Sequence, residues 1–269
     1  MALALGPRAN SAGYGLAAFD QIGSTNTEAM RRAREGERGP MWFATTEQTA
    51  GRGRRQRAWV APRGNLASSV LEVIDVAPGV AATLGFAAGL ALESVFEKIS
   101  LEARMRSAGA ERLSFKLKWP NDVLVNRQKL VGILVEAEAL PGGLAVVVGS
   151  GTNIVAAPEG TPTPATSLQA LGIQITADEL FAAQTDAWVE FRGIWDNGRG
   201  FAEIRSRWLQ RAAGLGEKVA IQSGNATIEG IFDTIDEAGC LIVRTADGRR
   251  IPVTAGEVYF GSAASVGAA

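Results

Sequence analysis

The chain contains 269 residues, of which 46% are hydrophobic and 20% charged, and its formal net charge is −1. This length predicts one large and one small domain, and the near-neutral charge excludes a chain that binds polyanions with its whole surface. The sequence has no histidine, which excludes Ser-His-Asp and Cys-His catalysis and metal sites that need imidazole. Catalysis must therefore use carboxylates, Lys, Arg, amides, backbone dipoles or a hard cation such as Mg²⁺.

Two features of the sequence predict the compartment. The single cysteine, Cys240, cannot form an internal disulfide, and no signal-peptide pattern stands at the N-terminus. One long apolar stretch, 76–92, contains Pro78 and continues into charged residues from Glu93 onward, which favours a buried helix over a membrane span. We therefore expect a cytoplasmic protein that has no membrane partner.

The first part of the chain predicts a leader followed by a helix and strands. Residues 1–17 are rich in Gly, Ala and Ser, so we interpret them as a loose leader. A helix is expected from the GSTN segment at 23–26 to about Glu35, because Ser, Thr and Asn favour helix N-caps and Gly36 favours a C-terminus. The strands predicted here span residues 19–22, 41–46 and 66–74.

The middle of the chain predicts a long helix and an antiparallel meander. The helix begins at Pro78 and reaches towards Arg106. Residues 126–128 and 141–143 supply tight turns between apolar segments, and strands joined by such turns are antiparallel neighbours. The predicted strands span residues 114–118, 122–125, 130–139 and 144–154.

The C-terminal part predicts two helices and then a small β-barrel. Thr176 and Glu179 form a capping-box pattern that opens a helix running past Trp195, and a second helix covers 201–213. From Gly214 onward, short alternating strands separated by turn residues replace the helices. These strands span residues 218–222, 226–233, 241–244 and 250–253.

Together these elements define the predicted fold class and domains. Helices around an antiparallel meander indicate an α+β protein with a largely antiparallel central sheet and flanking helices. We expect a catalytic domain at residues 18–213, a β-barrel domain at 214–262 and a tail at 263–269.

An Arg- and Gly-rich loop is the first of four segments that carry chemistry. Residues 51–57 read GRGRRQR, and the four arginines repel one another, so the loop should be poorly ordered until an anion docks. Guanidinium groups bind carboxylates and phosphates, and glycine lets the backbone approach a ligand closely. A nucleic-acid patch or a solvated loop would explain the same pattern.

Three further segments are each explained by ordinary structure when taken alone. Asn121 and Asp122 follow a proline in KLKWPNDV and place an amide and a carboxylate at a strand end, where a turn is the simpler interpretation. Lys129 enters an apolar strand and either extends its ammonium to solvent or binds an anion. In GSGTN at 149–153, glycines within a strand indicate close approach by a ligand or a bulge.

Taken in this order, the four segments resemble those of the biotin–protein ligases. The chain carries GRGRRQR, KWPNDV, KLVGIL and GSGTN, with GSTN upstream, and the resemblance covers roughly residues 19–262. It implies a class II synthetase-like catalytic domain with a mixed, largely antiparallel sheet, and an SH3-like β-barrel at the C-terminus. It also implies formation of biotinyl-5′-AMP from biotin and ATP, followed by transfer of biotin to a lysine of a biotin carboxyl carrier protein.

The resemblance assigns roles residue by residue. Contacts with biotin are expected for Ser24, Thr25, Asn26, Gln48, Arg52, Gly53, Arg54, Lys129, Gly132 and Gly149. Contacts with ATP or the adenylate are expected for Arg55, Arg57, Trp59, Asn121, Asp122 and Asn153. Catalytic roles are expected for Lys129, Arg54 and Asp122, with Asp122 either a proton acceptor or a contact of the nucleotide and Mg²⁺. No firm protein site for Mg²⁺ follows, and we expect the ATP phosphates to hold it.

The chain departs from the family pattern at three points. Gln56 stands where the loop usually has a second glycine, and Val131 stands where Gly or Ala is commoner in the strand. No helix-turn-helix precedes the GSTN segment, so we expect neither repressor function nor a nucleic-acid partner. The resemblance is compatible with a homodimer. The alternatives are a lipoate or octanoyl ligase or transferase of the same architecture, and a nucleic-acid-binding module that uses the arginine loop.

Overall fold

A computed structural model describes residues 3–106, 112–161, 163–224 and 226–261. The strands of its central sheet are β1 Gly15–Phe19, β2 Met41–Thr45, β3 Leu66–Ile74, β4 Phe115–Lys118, β5 Asp122–Val125, β6 Gln128–Leu140 and β7 Gly143–Thr152. They lie side by side in the order β1-β2-β3-β7-β6-β5-β4. β1 and β2 are parallel, whereas each of the other neighbouring pairs in this order is antiparallel. The prediction of a mixed, largely antiparallel sheet is therefore confirmed.

Helices cover both faces of this sheet. They are α1 Pro7–Ser11, α2 Thr25–Arg34, α3 Pro78–Ala82, α4 Leu84–Arg106, α5 Ala177–Trp195 and α6 Phe201–Gln210. On one face, α2 packs its Ala29 and Met30 against Phe43 and Leu71 of the sheet. On the other face, α4, α5 and α6 form the larger core with the sheet. β3 is buried on both faces, which explains its nearly continuous run of apolar and small residues.

The long apolar helix belongs to this core. The stretch Pro78–Met105 is long and apolar enough to cross a membrane by length and composition, but 78% of its most apolar window is buried inside the protein. Phe86, Leu90 and Phe96 are among its buried side chains. It is a core helix, as predicted, although it is divided into α3 and α4 at Thr83.

The prediction of a loose leader is wrong for residues 3–17. The Asp186 carboxylate of α5 accepts hydrogen bonds from the backbone N–H groups of Arg8 and Ala9 at 2.8 and 3.0 Å, which fixes the N-terminus of α1. β1 then begins at Gly15 and ends at Phe19, so the strand predicted at 19–22 lies about four residues too far along the chain. The cause is long-range, because β1 is set by parallel pairing with β2.

The C-terminal part forms a second, antiparallel sheet. Its strands are β8 Lys218–Ser223, β9 Ala226–Ile235, β10 Leu241–Arg244, β11 Arg250–Val253 and β12 Glu257–Phe260. They lie in the order β11-β10-β9-β8-β12, which agrees with the predicted small β-domain. Sequence patterns missed β12, whose four residues pair with β8 at the sheet edge. The predicted tail at 263–269 lies outside the described residues.

Candidate functional site

A cavity of about 410 Å³ lies on the α2 face of the central sheet, beyond the N-terminus of α2. Each residue to which the sequence assigned a site role lines it. These residues are Ser24, Thr25, Asn26, Gln48, Arg52, Gly53, Arg54, Arg55, Arg57, Trp59, Asn121, Asp122, Lys129, Gly132, Gly149 and Asn153. Segments up to 129 residues apart in the chain therefore converge on one site.

The floor of the cavity is made of glycines on β6 and β7. Gly132 lies opposite Gly151 in the antiparallel ladder. A Cβ atom on Gly151 would lie 2.4 Å from the indole nitrogen of Trp59, and one on Gly149 would lie 1.9 Å from the Asn26 side-chain oxygen. Both distances are too short for real atoms, so these glycines are required by the close approach of other side chains.

One end of the cavity, formed by Ser24, Thr25, Asn26 and Gln48, carries no charge and is called here the neutral end. Ser24 caps α2 by accepting a hydrogen bond from the Thr27 backbone. The Gln48 side-chain oxygen accepts hydrogen bonds from the backbone N–H of Thr25 at 2.8 Å and from its hydroxyl at 3.2 Å. The neutral end is thus hydrogen-bonded before any ligand is present.

Asn26 is held at both ends of its amide. Its oxygen accepts a hydrogen bond from the Ser69 hydroxyl at 2.6 Å, and its nitrogen donates to the Glu136 carboxylate at 2.8 Å. Glu136 also forms an ion pair with Arg52 of the arginine loop at 3.1 Å. Ser69 and Glu136 were not predicted from the sequence, because neither belongs to a recognisable motif. Their partners are 43 and 110 residues away.

The arginine loop folds back over the cavity. The backbone N–H of Gly53 donates to Arg57 O at 2.8 Å, and that of Trp59 donates to Gly51 O at 2.9 Å. The turn between them places Arg55 and Gln56 at φ 55° and 61°. The Trp59 ring then lies over the glycine floor, with the Lys129 ammonium 5.5 Å from its centroid.

Lys129 marks the middle of the cavity. Its ammonium nitrogen lies 2.7 Å from an Asp122 carboxylate oxygen, and β5 and β6 bring the two residues together. The Asn121 amide donates to Ile133 O at 2.6 Å. Asn153 donates to Thr166 O at 3.1 Å and is almost fully buried, so part of its amide is already used by the protein.

The other end, called here the cationic end, contains Arg54, Arg57 and Lys118 and is closed by the C-terminal sheet. Arg54 donates to Asn121 Oδ1 at 3.2 Å and to Gly256 O at 3.3 Å. Arg57 lies 2.8 Å from the Glu257 carboxylate of β12. Gly256, Glu257 and Lys118 were not predicted as site residues. The C-terminal pair could not be found from the sequence because β12 itself was missed.

The cavity carries an excess of positive charge. Six basic side chains line it among the described residues, against three acidic ones, Asp122, Glu159 and Glu257. The described residues contain no group of three or more His, Cys, Asp or Glu side chains that could hold a metal ion. A neutral hydrogen-bonding end, a glycine floor and a cationic end suit an elongated ligand with a neutral polar head and an anionic tail.

Comparisons with known proteins agree with these features. Residues 18–153 match the model of the biotin/lipoate A/B protein ligase family, and residues 214–261 match that of the biotin protein ligase C terminal domain. A biotin–[acetyl-CoA-carboxylase] ligase of Paracoccus denitrificans is 40% identical over 245 residues, which are 88% of this chain and 97% of that protein. A ligase of the same name from Mycobacterium tuberculosis is 35% identical over 88% of this chain and 86% of its own length.

Solved structures share the fold. The biotin protein ligase of Aquifex aeolicus, in complex with biotin and ATP, superposes with a TM-score of 0.73 at 23% identity, covering 92% of this chain and 99% of that one. The Leishmania major biotin protein ligase in complex with biotinyl-5-AMP gives a TM-score of 0.59 at 22% identity, covering 90% of this chain and 99% of that one.

Proposed function

The chain belongs to the biotin–protein ligases of the biotin/lipoate A/B protein ligase family, and from that membership we propose how it acts. It activates biotin with ATP to biotinyl-5′-AMP and transfers the biotinyl group to a lysine of a biotin carboxyl carrier protein. The observation that carries the proposal is the order of chemical groups along one cavity. The neutral end suits a ureido ring, the glycine floor suits an apolar ring and chain, and Lys129 suits a carboxylate.

The first step joins two anions, so the residues must cancel charge and align the reactants. A carboxylate oxygen of biotin forms a bond with the α-phosphorus of ATP. The bond from that phosphorus to the bridging oxygen breaks, and its electron pair leaves on pyrophosphate. We assign to Lys129 the contact with both the carboxylate and the α-phosphate, because it lies in the middle of the cavity, and to Arg54 at the cationic end a contact with the phosphates. Neither group has to lose its proton, which suits a site without histidine.

The second step requires a neutral amine. The carrier lysine nitrogen forms a bond with the acyl carbon, the bond from that carbon to the phosphate oxygen breaks, and AMP leaves with the electron pair. The amine gives up a proton, and Asp122 is the carboxylate in the middle of the cavity that can accept it. Because water would hydrolyse the acyl-adenylate, the arginine loop has the role of a cover.

Mg²⁺ brought by ATP would find oxygen donors where the middle of the cavity meets its cationic end. The Asp122 carboxylate and the Asn121 amide oxygen are hard oxygen donors of the kind Mg²⁺ prefers. We assign most of its ligands to the ATP phosphates, where it would neutralise negative charge.

The rival functions are less well supported. The two relatives described above, at 40% and 35% identity, are named biotin–[acetyl-CoA-carboxylase] ligases, which favours biotin over lipoate. A nucleic-acid module would use the arginine loop but would leave Lys129, the glycine floor and the neutral end unexplained. We further propose a cytoplasmic location, on the single cysteine. We keep the expected domain boundary between 213 and 214, but the catalytic domain also includes α1 and β1, which precede residue 18 in part or in full. Sedimentation of the purified chain tests the homodimer that the resemblance allows.

Biotin-dependent exchange of pyrophosphate into ATP is the test of the first step, with lipoate as the matched control. Transfer to a carrier domain, read by mass, tests the second step. A thermal shift series adds biotin plus ATP, lipoate plus ATP, and an oligonucleotide to separate samples. Exchange with lipoate that equals exchange with biotin would refute the assignment, as would stabilisation by the oligonucleotide alone.

A further inference from the structure

Lys118 is a buried cation in the cavity that has no assigned task. It is the last residue of β4 and lies opposite Asp122 in the ladder with β5. Only 5% of its surface is exposed. Its ammonium donates to the Thr163 hydroxyl at 2.9 Å and lies 5.9 Å from the centroid of the Phe260 ring.

A lysine in this setting is costly to the folded protein. Among the described residues, no carboxylate oxygen lies within ion-pair distance of the Lys118 nitrogen. Burial lowers the pKa of this ammonium, and the charge of Asp122 opposes that shift. Lysine is rarely buried without a partner, because the charge loses its hydration without compensation. Such a residue in a cavity indicates a ligand that supplies the missing negative charge.

The position of Lys118 in the cavity indicates which part of the ligand it contacts. The Lys129–Asp122 pair lies between it and the neutral end, whereas Phe260 places it beside the C-terminal sheet. The charges that act on it are those of Asp122, Lys129, Glu257 and Arg54. If Lys129 contacts the carboxylate and the α-phosphate, the next anionic groups along the nucleotide are the β- and γ-phosphates.

We propose that Lys118 binds the β- and γ-phosphates of ATP and stabilises the pyrophosphate that leaves in the first step. This inference rests on the proposed adenylation and adds a residue to it. Lysine serves such a role as a compact point charge, which needs no fixed orientation. Thr163, in the segment that follows β7, accepts a hydrogen bond from the ammonium and so holds it in the cavity.

The first experiment measures nucleotide binding by calorimetry for Lys118→Met. ATP binding should weaken about ten- to hundredfold, the usual effect of losing a charged hydrogen bond. AMP, which lacks the β- and γ-phosphates, should bind within about threefold of wild type. Lys116→Met is the matched control, because Lys116 lies two residues away on the same strand and is exposed. Equal losses for ATP and AMP would overturn the assignment, and so would unchanged ATP binding.

The second experiment separates the two half-reactions. Lys118→Met should reduce biotin-dependent pyrophosphate exchange about 10²–10³-fold, while transfer from synthetic biotinyl-5′-AMP to the carrier stays within a few-fold of wild type. If wild type shows no exchange, the ligase proposal fails, and the ATP and AMP titrations still decide the role of Lys118. A loss in transfer as large as the loss in exchange would place Lys118 elsewhere in the reaction.

The melting temperature distinguishes a ligand-binding lysine from a structural one, because the two roles predict opposite changes on substitution of Lys118. Without ligand, Lys118→Met should melt at or above the wild-type temperature, because it removes an unpaired buried charge. A lower melting temperature together with normal exchange would make Lys118 a structural residue. If the methionine variant fails to fold, Lys118→Arg replaces it. Retention of the charge should then preserve exchange better than Lys118→Gln does.

Discussion

The two ends of the cavity differ in how far the protein satisfies them without a ligand. At the neutral end, Thr25, Gln48 and Asn26 are hydrogen-bonded to one another or to Ser69 and Glu136. At the cationic end, positive charge is in excess, and Lys118 is buried without an ion pair in the described part of the chain. The neutral end is therefore preorganised for shape and hydrogen bonding, whereas the charge of the cationic end suits an anionic ligand.

This difference predicts an order of sensitivity. Interactions that strengthen as charge develops in the transition state raise the rate, whereas contacts that are equally strong in the ground state and the transition state contribute only to affinity. Substitutions at the cationic end should therefore slow adenylation, and those at the neutral end should weaken the binding of biotin.

Lys129→Ala removes the charge at the boundary between the two ends. We expect adenylation to fall about 10²–10³-fold, as for loss of one charge-stabilising contact, while the protein stays folded. The measurement is biotin-dependent pyrophosphate exchange, with circular dichroism to confirm folding. Lys98→Ala, on the core helix α4 and outside the cavity, is the control. Exchange within a few-fold of wild type would remove Lys129 from the mechanism.

Gly149→Ala disrupts the neutral end without removing a charged side chain. The new Cβ would lie 1.9 Å from the Asn26 oxygen, so Asn26 must move and lose its contacts with Ser69 and Glu136. Overpacking of this kind costs about 1–3 kcal/mol, and biotin affinity should fall roughly ten- to hundredfold.

Calorimetry of biotin binding without ATP checks this prediction. Gly193→Ala is the matched control, because a Cβ there meets no atom within 4 Å and alanine favours the helix. Wild-type biotin affinity for Gly149→Ala would show that the Asn26 position is unimportant to the ligand.

The contrast also explains what could be predicted from the sequence. The arginine loop, the strand of Lys129 and the glycine strand are local patterns, and a resemblance to known proteins gives them a common meaning. Lys118 also stands within the KWPNDV segment, yet its burial depends on Thr163 and Phe260, which are 45 and 142 residues away. Local patterns cannot report such burial.

The same physical limit accounts for the misplaced elements. β1 is fixed by parallel pairing with β2, and α1 by the Asp186 carboxylate of α5, so the composition of residues 1–17 misled the prediction. Long-range partners also determine the role of Glu136, which joins the arginine loop to Asn26. The short apolar runs that form β3, β5 and β10 have the bounds that the sequence predicted, because their limits are set by local changes in composition.

Arg54→Ala tests the cover over the cationic end. Arg54 ties the arginine loop to Asn121 and to Gly256 of the C-terminal part. Losing these contacts should speed release of biotinyl-5′-AMP about tenfold, since a charged hydrogen bond contributes roughly 1.5 kcal/mol or more. The free energy of unfolding should change little, because the loop is outside the core.

The measurements are free adenylate in solution and hydrogen exchange of residues 51–57 with and without biotin plus ATP. The four arginines repel one another, so ligand should increase protection of the loop in wild type. Arg63→Ala is the control, because Arg63 is an exposed arginine outside the cavity lining. Equal protection in both states and unchanged adenylate release would mean that the loop does not act as a cover.

Gln56→Gly should produce the smallest change, and it tests whether the turn at Gln56 limits closure of the arginine loop. Gln56 occupies the left-handed region at φ 61°, next to Arg55 at φ 55°, where a non-glycine residue costs about 1–2 kcal/mol. Glycine removes that strain but gains freedom in the unfolded chain. The net effect should be about 0.5–1 kcal/mol in favour of the folded loop, seen as a two- to fivefold gain in the affinity for biotin in the presence of ATP.

The control is Ala58→Gly, next to the arginine loop but without a positive φ, which offers no such relief and should weaken binding slightly. If the two glycine variants behave alike, the left-handed turn does not limit closure of the loop, and the repulsion between the arginines limits it instead.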